Sequence, residues 1–180
     1  MDDIFWFQQQ GMEGATNYGM ACESVAVSHA VRLLTRDSRM TPDSLANETE
    51  TMFGADAYGY DGNPDRLNYQ RLLAMCAARY GLRWKSIPDS NSRWVDVRNA
   101  LRQGHMIVAG QAAGGPLFVT ADGGTRPYTN GHTIMFYRYA NGRFYAKDSS
   151  PVGGGPAIPY PTDVAMDWFS TGFALELWID

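Results

Sequence analysis

Cys22, His132 and Asp148 are the residues of this chain whose types and settings could do chemistry. A thiol, an imidazole and a carboxylate in that order can serve as nucleophile, general base and the group that orients the base. Cys22 follows the small, turn-prone Gly19-Met20-Ala21 and precedes a run whose apolar positions 26, 27, 30, 31, 33 and 34 recur at helical spacing. The thiol therefore falls at or just before a helix N-terminus. Unpaired backbone N–H groups and the positive end of the helix dipole there favour a thiolate over a thiol.

His132 opens a β-rich run over 133–139, and Ala140-Asn141-Gly142 reads as a turn. A second run, 143–147, ends at Asp148. A hairpin brings its open ends together, so two residues sixteen positions apart (148 − 132 = 16) become neighbours across the ladder. The carboxylate can then hold one imidazole nitrogen and leave the other facing the thiol.

The other candidates are weaker. His29 lies seven residues after Cys22 (29 − 22 = 7) on the same helix, about 10 Å away by helix rise, too far to act as its base. His105 precedes a strand much as His132 does, but no Asp or Asn at the end of a paired hairpin is there to orient it. Cys76 sits in the apolar helical stretch 72–78 and reads as a buried structural thiol, so a disulfide with Cys22 is not expected. No two Cys or His stand at ligand spacing, so no metal and no cofactor is expected.

The elements that must position the triad are legible in outline. Thr41-Pro42-Asp43 starts a second helix, with a capping Thr, Pro at the first helical position and an acid in the first turn. It runs to about Phe53 and stops at Gly54. Residues 55–63 read as a loop, and Asn63-Pro64-Asp65 as the start of a helix through Tyr80 capped by Gly81. Asn91 or Ser92 caps a further helix that ends at Gly104. Strands follow at 106–110, 116–120, the 132–147 hairpin and 172–179, while 152–156 is a Gly-rich loop. Helices first and a mostly antiparallel sheet after is an α+β layout.

The chain has 180 residues, 44% of them hydrophobic, enough for one domain over 1–180 with a full core. The net charge of −4 and the lack of a basic run argue against nucleic acid and give no pull toward anionic membranes or wall polymers. The acidic start Met1-Asp2-Asp3 lacks an apolar signal core, and no apolar run approaches about eighteen residues, so neither Sec export nor membrane insertion is expected. The expectation is a protein made in the cytoplasm. Delivery by a non-Sec secretion system or in a phage particle would leave no trace in the sequence.

Four passages resemble the papain-like cysteine peptidases, most nearly the branch of the bacteriocin double-glycine leader peptidases. Ala21-Cys22-Glu23-Ser24-Val25-Ala26 resembles that branch's nucleophile segment. Tyr80-Gly81-Leu82 followed by 97–108 is similar to its helix, glycine and apolar strand, Asn130-Gly131-His132-Thr133-Ile134 to the passage supplying the base, and 146–151 to its Asp-Pro segment. The resemblance implies N-terminal helices packed on a C-terminal, mostly antiparallel sheet, with the substrate cleft between them. It also implies a Gln upstream of the nucleophile whose amide binds the oxyanion. The usual position, about six residues before Cys22, holds Thr16, so Gln10 (or its neighbours Gln8 and Gln9) or Asn17 would have to serve.

The activity implied is that of a cysteine peptidase or amidase working through a thioester. Its partner would be a peptide or protein, including a peptidoglycan stem peptide, and a stand-alone protease or delivered bacterial effector fits a chain with no transporter segment. Two alternatives stay open. The same triad could transfer the acyl group to another amine, and the same fold without chemistry could be a binding module, which the displaced Gln would favour.

Overall fold

The computed structural model describes residues 5, 7, 22–60, 63–112, 114, 115, 117–127, 131–150 and 153–180, with the backbone alone for 60 and 63–65. Its helices are α1 (Cys22–Thr35), α2 (Pro42–Phe53), α3 (Tyr69–Tyr80), α4 (Arg93–Arg102) and α5 (Thr162–Ser170). Its strands are β1 (Tyr58–Tyr60), β2 (Asn63–Leu67), β3 (Arg83–Ser86), β4 (Met106–Gln111), β5 (Phe118–Val119), β6 (Thr125–Arg126), β7 (His132–Ala140), β8 (Arg143–Asp148), β9 (Gly155–Pro161) and β10 (Phe173–Trp178).

Six strands form one antiparallel sheet in the order β3-β10-β4-β7-β8-β9. Its two faces are both covered. Val108, Met135, Leu175 and Leu177 join the core made with α1, α2 and α3, while Ile107, Ala109, Ile134, Phe136, Phe144 and Ala146 join the core made with α4 and α5. Successive strand residues point to opposite faces, so a strand lined on both sides reads as continuously apolar, as 134–136 do.

Local chemistry explains the element ends. The Thr41 hydroxyl accepts from Ser44 N–H at 3.1 Å and Ser44 Oγ accepts from Thr41 N–H at 2.9 Å, a reciprocal cap that starts α2 where expected. Asn141 and Gly142 both take positive φ, 52° and 71°, as a two-residue turn matching the twist of β7 and β8 requires.

Three assignments differ from expectation. Residues 58–67 form the β1–β2 hairpin instead of a loop and a helix start, and α3 begins at Tyr69, where the Asn68 side chain accepts from the N–H groups of Gln70 and Arg71. The Gly-rich segment runs into β9 and α5, and Gly155 and Pro156, expected in a loop, already belong to the strand. Edge strand β3 was likewise not expected, because all four of its residues are exposed and carry no alternation.

Candidate active site

Cys22 is the first residue of α1, and α1 packs across β7 and β4 on one face of the sheet. The thiol is buried, with 8% of the residue exposed. It donates to Glu23 Oε2 at 3.4 Å. Burial, followed by the adjacent Glu23 carboxylate, pushes the thiol up to about 12, and the hydroxyl and backbone N–H of Thr133 offset only part of this. Desolvation and then the first-turn Glu23 thus act against the thiolate that the helix N-terminus favours.

His132 begins β7, opposite Gln111 at the end of β4. Its Nε2 lies 2.7 Å from Asp148 Oδ1, and both side chains are buried. An ionised carboxylate only accepts, so Nε2 carries the proton and Nδ1 is the basic nitrogen. Asp148 Oδ1 also accepts from Ser150 N–H at 2.9 Å, which fixes the carboxylate from its own chain. The Phe118 ring lies against the imidazole at 5.2 Å between centroids, tilted by 55°. The Phe118 segment is held in turn by Trp168, whose indole N–H donates to the Leu117 carbonyl at 2.9 Å.

The three triad candidates are therefore only partly assembled. His132 and Asp148 are joined, and Cys22 meets Thr133, the next residue after His132. In step with Ile134 and Phe136, His132 points to the face that carries α4 and α5, whereas Thr133 and Met135 point to α1. The thiol's hydrogen-bond partners are accordingly Glu23 and Thr133. Gln8, Gln9, Gln10, Thr16 and Asn17, the candidates around the oxyanion position, lie outside the described residues.

His105 departs from expectation. Its Nδ1 is 2.6 Å from Glu176 Oε1, so a carboxylate does orient it, supplied by the neighbouring strand β10 instead of a hairpin end. It lines a cavity of about 610 Å³ with Lys85, Asn99, Gln103, Glu176 and Trp178, at the opposite end of β4 from Gln111 and His132. His29 is fully buried, accepts from Phe7 N–H at 3.0 Å and stacks on the Phe7 ring, a structural role. Cys76 is buried in the core made with α1, α2 and α3. Among the described residues no three His, Cys, Asp or Glu side chains converge as a metal site, and no helix is long and apolar enough to cross a membrane.

Sequence reasoning passed over Glu23, Thr133, Ser150 and Phe118. Glu23 and Thr133 carried a signal, since each is the immediate chain neighbour of a triad candidate. Phe118 carried none, because only the tertiary fold brings it to the imidazole.

No family model and no curated protein matches the sequence. The fold does match solved structures. A C39-like peptidase from Bacillus anthracis superposes over 100% of this chain and 96% of its own, with a TM-score of 0.59 at 13% identity. This chain has the fold of the papain-like C39-type peptidases. Xylellain, a cysteine protease from Xylella fastidiosa, shares that papain-like fold over 98% of this chain and 83% of its own, with a TM-score of 0.52 at 12% identity. A double glycine motif protease from an AMS/PCAT transporter, solved with its leader peptide, matches more loosely, with a TM-score of 0.45 at 11% identity.

Proposed function

We propose that this chain is a cysteine hydrolase that cleaves a peptide or amide bond through a thioester acyl-enzyme. The observation that carries the reading is the buried His132–Asp148 pair at the strand end, with the helix-terminal Cys22 packed on the adjoining Thr133. Asp148 fixes the imidazole so that Nδ1 is the base, and Ser150 fixes Asp148. In this reading the strand end that carries His132 shifts to bring Nδ1 to the sulfur; His132 then takes the thiol proton and the thiolate attacks the substrate carbonyl carbon. The C–S bond forms, the C–N bond breaks, and His132 returns the proton to the departing amine. Water, activated by the same imidazole, then hydrolyses the thioester. The oxyanion donors in this reading are the Cys22 backbone N–H and a side-chain amide from Gln10 or Asn17.

The substrate is a peptide or protein segment. A delivered bacterial effector acting on proteins or on wall stem peptides fits this chemistry, although a net charge of −4 supplies no attraction to anionic wall polymers. A second reading, a papain-like binding module without turnover, is favoured by one observation: the thiol is paired with the Glu23 carboxylate, a contact that disfavours the thiolate. Acyl transfer to an amine other than water uses the same groups.

The deciding experiment presents a mixed peptide library to wild type, Cys22→Ala, His132→Ala and Asp148→Asn, with products read by mass spectrometry. Cleavage is expected for wild type only at full rate, abolished in Cys22→Ala and reduced about a hundredfold or more in His132→Ala. Products seen only when an acceptor amine is added would assign a transferase. Turnover that survives Cys22→Ala would remove the hydrolase reading.

A further inference from the structure

The contact between the nucleophile and its chain neighbour is not one that a cysteine hydrolase needs for turnover. Cys22 and Glu23 are the first two residues of α1, and the helix turns the Glu23 side chain back over the thiol at 3.4 Å. A carboxylate beside a thiol accepts its proton in a hydrogen bond and disfavours the thiolate by like-charge repulsion. The sulfur is also hydrogen-bonded by Thr133, paired across β4–β7 with Gly110. A Cβ at Gly110 would collide with Phe173 and with Thr133 Oγ1, so the space around Thr133 is filled and its side chain has little room to move. The sulfur is thus seated between two groups on the α1 face, while the imidazole lies on the other face of the same strand.

We propose that Glu23 is a positioning residue that latches the Cys22 thiol in a resting, protonated state against Thr133, so that the thiolate forms readily only when this contact is broken. The proposal rests on the hydrolase reading for its purpose, but its physical content concerns the thiol alone. Glu23 is half-buried in the first turn of α1. Of the groups that act on the sulfur among the described residues, Glu23 is the charged one, and Thr133 from β7 is a neutral donor. The latch therefore opens when one carboxylate is lost or displaced.

The test is alkylation of Cys22 by iodoacetamide from pH 5 to 10 in wild type, Glu23→Gln and Glu23→Ala, followed by peptide mass spectrometry, with Cys76 as internal control. Both variants are expected to label Cys22 faster than wild type throughout that pH range, because loss of the carboxylate raises the thiolate fraction at every pH below the thiol's own value. Labelling at pH 7 should become about threefold or more faster, the gain in thiolate being partly offset by lower intrinsic nucleophilicity. Unchanged Cys76 labelling shows that the fold is intact. Cys22 profiles in both variants that superimpose on wild type would overturn the latch. The addition of His132→Ala separates this from the hydrolase reading. If Glu23→Gln accelerates labelling while His132→Ala has no effect on labelling or turnover, the latch stands and the hydrolase fails. If only His132→Ala matters, the latch fails and the hydrolase stands.

Discussion

At the scale of single residues, buried ionisable groups decide how this protein responds to pH. His29 is fully buried on α1, accepts from Phe7 N–H, and is held well below its ordinary value of 6.5 by burial and then by the charges of Lys147 and Arg32. The unfolded chain takes up a proton near 6.5 that the folded state refuses, so the neutral ring's stabilisation is complete above that pH and is lost progressively as pH falls below it. The urea midpoint is expected to fall between pH 7 and pH 5, and the fall should be smaller in His29→Gln. A midpoint that holds constant over that range would show that His29 is not the controlling group. The types of the site residues were legible because each chemistry admits few side chains. The state of the thiol was not. Burial and Glu23 act against the thiolate that the helix terminus favours, and neither can be read until the packing around the sulfur is known.

At the scale of elements, helix starts with a local cause could be read, and those that depend on pairing could not. The Thr41–Ser44 reciprocal cap is written in four adjacent residues, and Thr41→Ala should cost about 1 kcal/mol in urea unfolding without altering Cys22 labelling. Asn63-Pro64-Asp65 imitates such a start, yet 63–67 pairs with 58–60, and the effective cap is Asn68. β9 contains Pro156, Pro159 and Pro161, which speak against a strand in sequence. It is an edge strand paired only with β8, and there a missing N–H costs nothing in the ladder. The β7–β8 hairpin was legible from its turn and its two apolar runs, and with it the His132–Asp148 pair. The face each residue takes was not: Thr133, Ile134, Met135 and Phe136 are all buried, so their pattern does not say which side meets α1.

At the scale of the molecule, one sheet separates two cores, and the candidate site sits at the ends of its inner strands β7 and β8. Phe136 is the centre of the α4–α5 side, with Phe144, Tyr160, Trp168 and Phe169 rings around it at 4.9 to 6.4 Å. Phe136→Ala should destabilise the fold by about 3–5 kcal/mol. Cys76 lies on the opposite side, fully buried, and reports opening of the other core through its alkylation rate. If both cores open as one unit, Phe136→Ala will accelerate Cys76 labelling by about two to four orders of magnitude. Unchanged Cys76 labelling would mean that the two sides of the sheet unfold independently.

The Asn141–Gly142 turn has a practical consequence for handling this protein. β7 runs nine residues from His132 to Ala140, about 30 Å at strand rise, so the hairpin tip is far from the thiol and imidazole. The Thr162 hydroxyl tethers it by donating to the Gly142 carbonyl at 2.5 Å. Because lengthening a loop costs only about 0.6 kcal/mol per doubling, a fluorescent reporter or an affinity handle can be spliced in at that tip. The ladder below it would keep base and carboxylate in register, leaving both chain ends untouched for fusion or immobilisation.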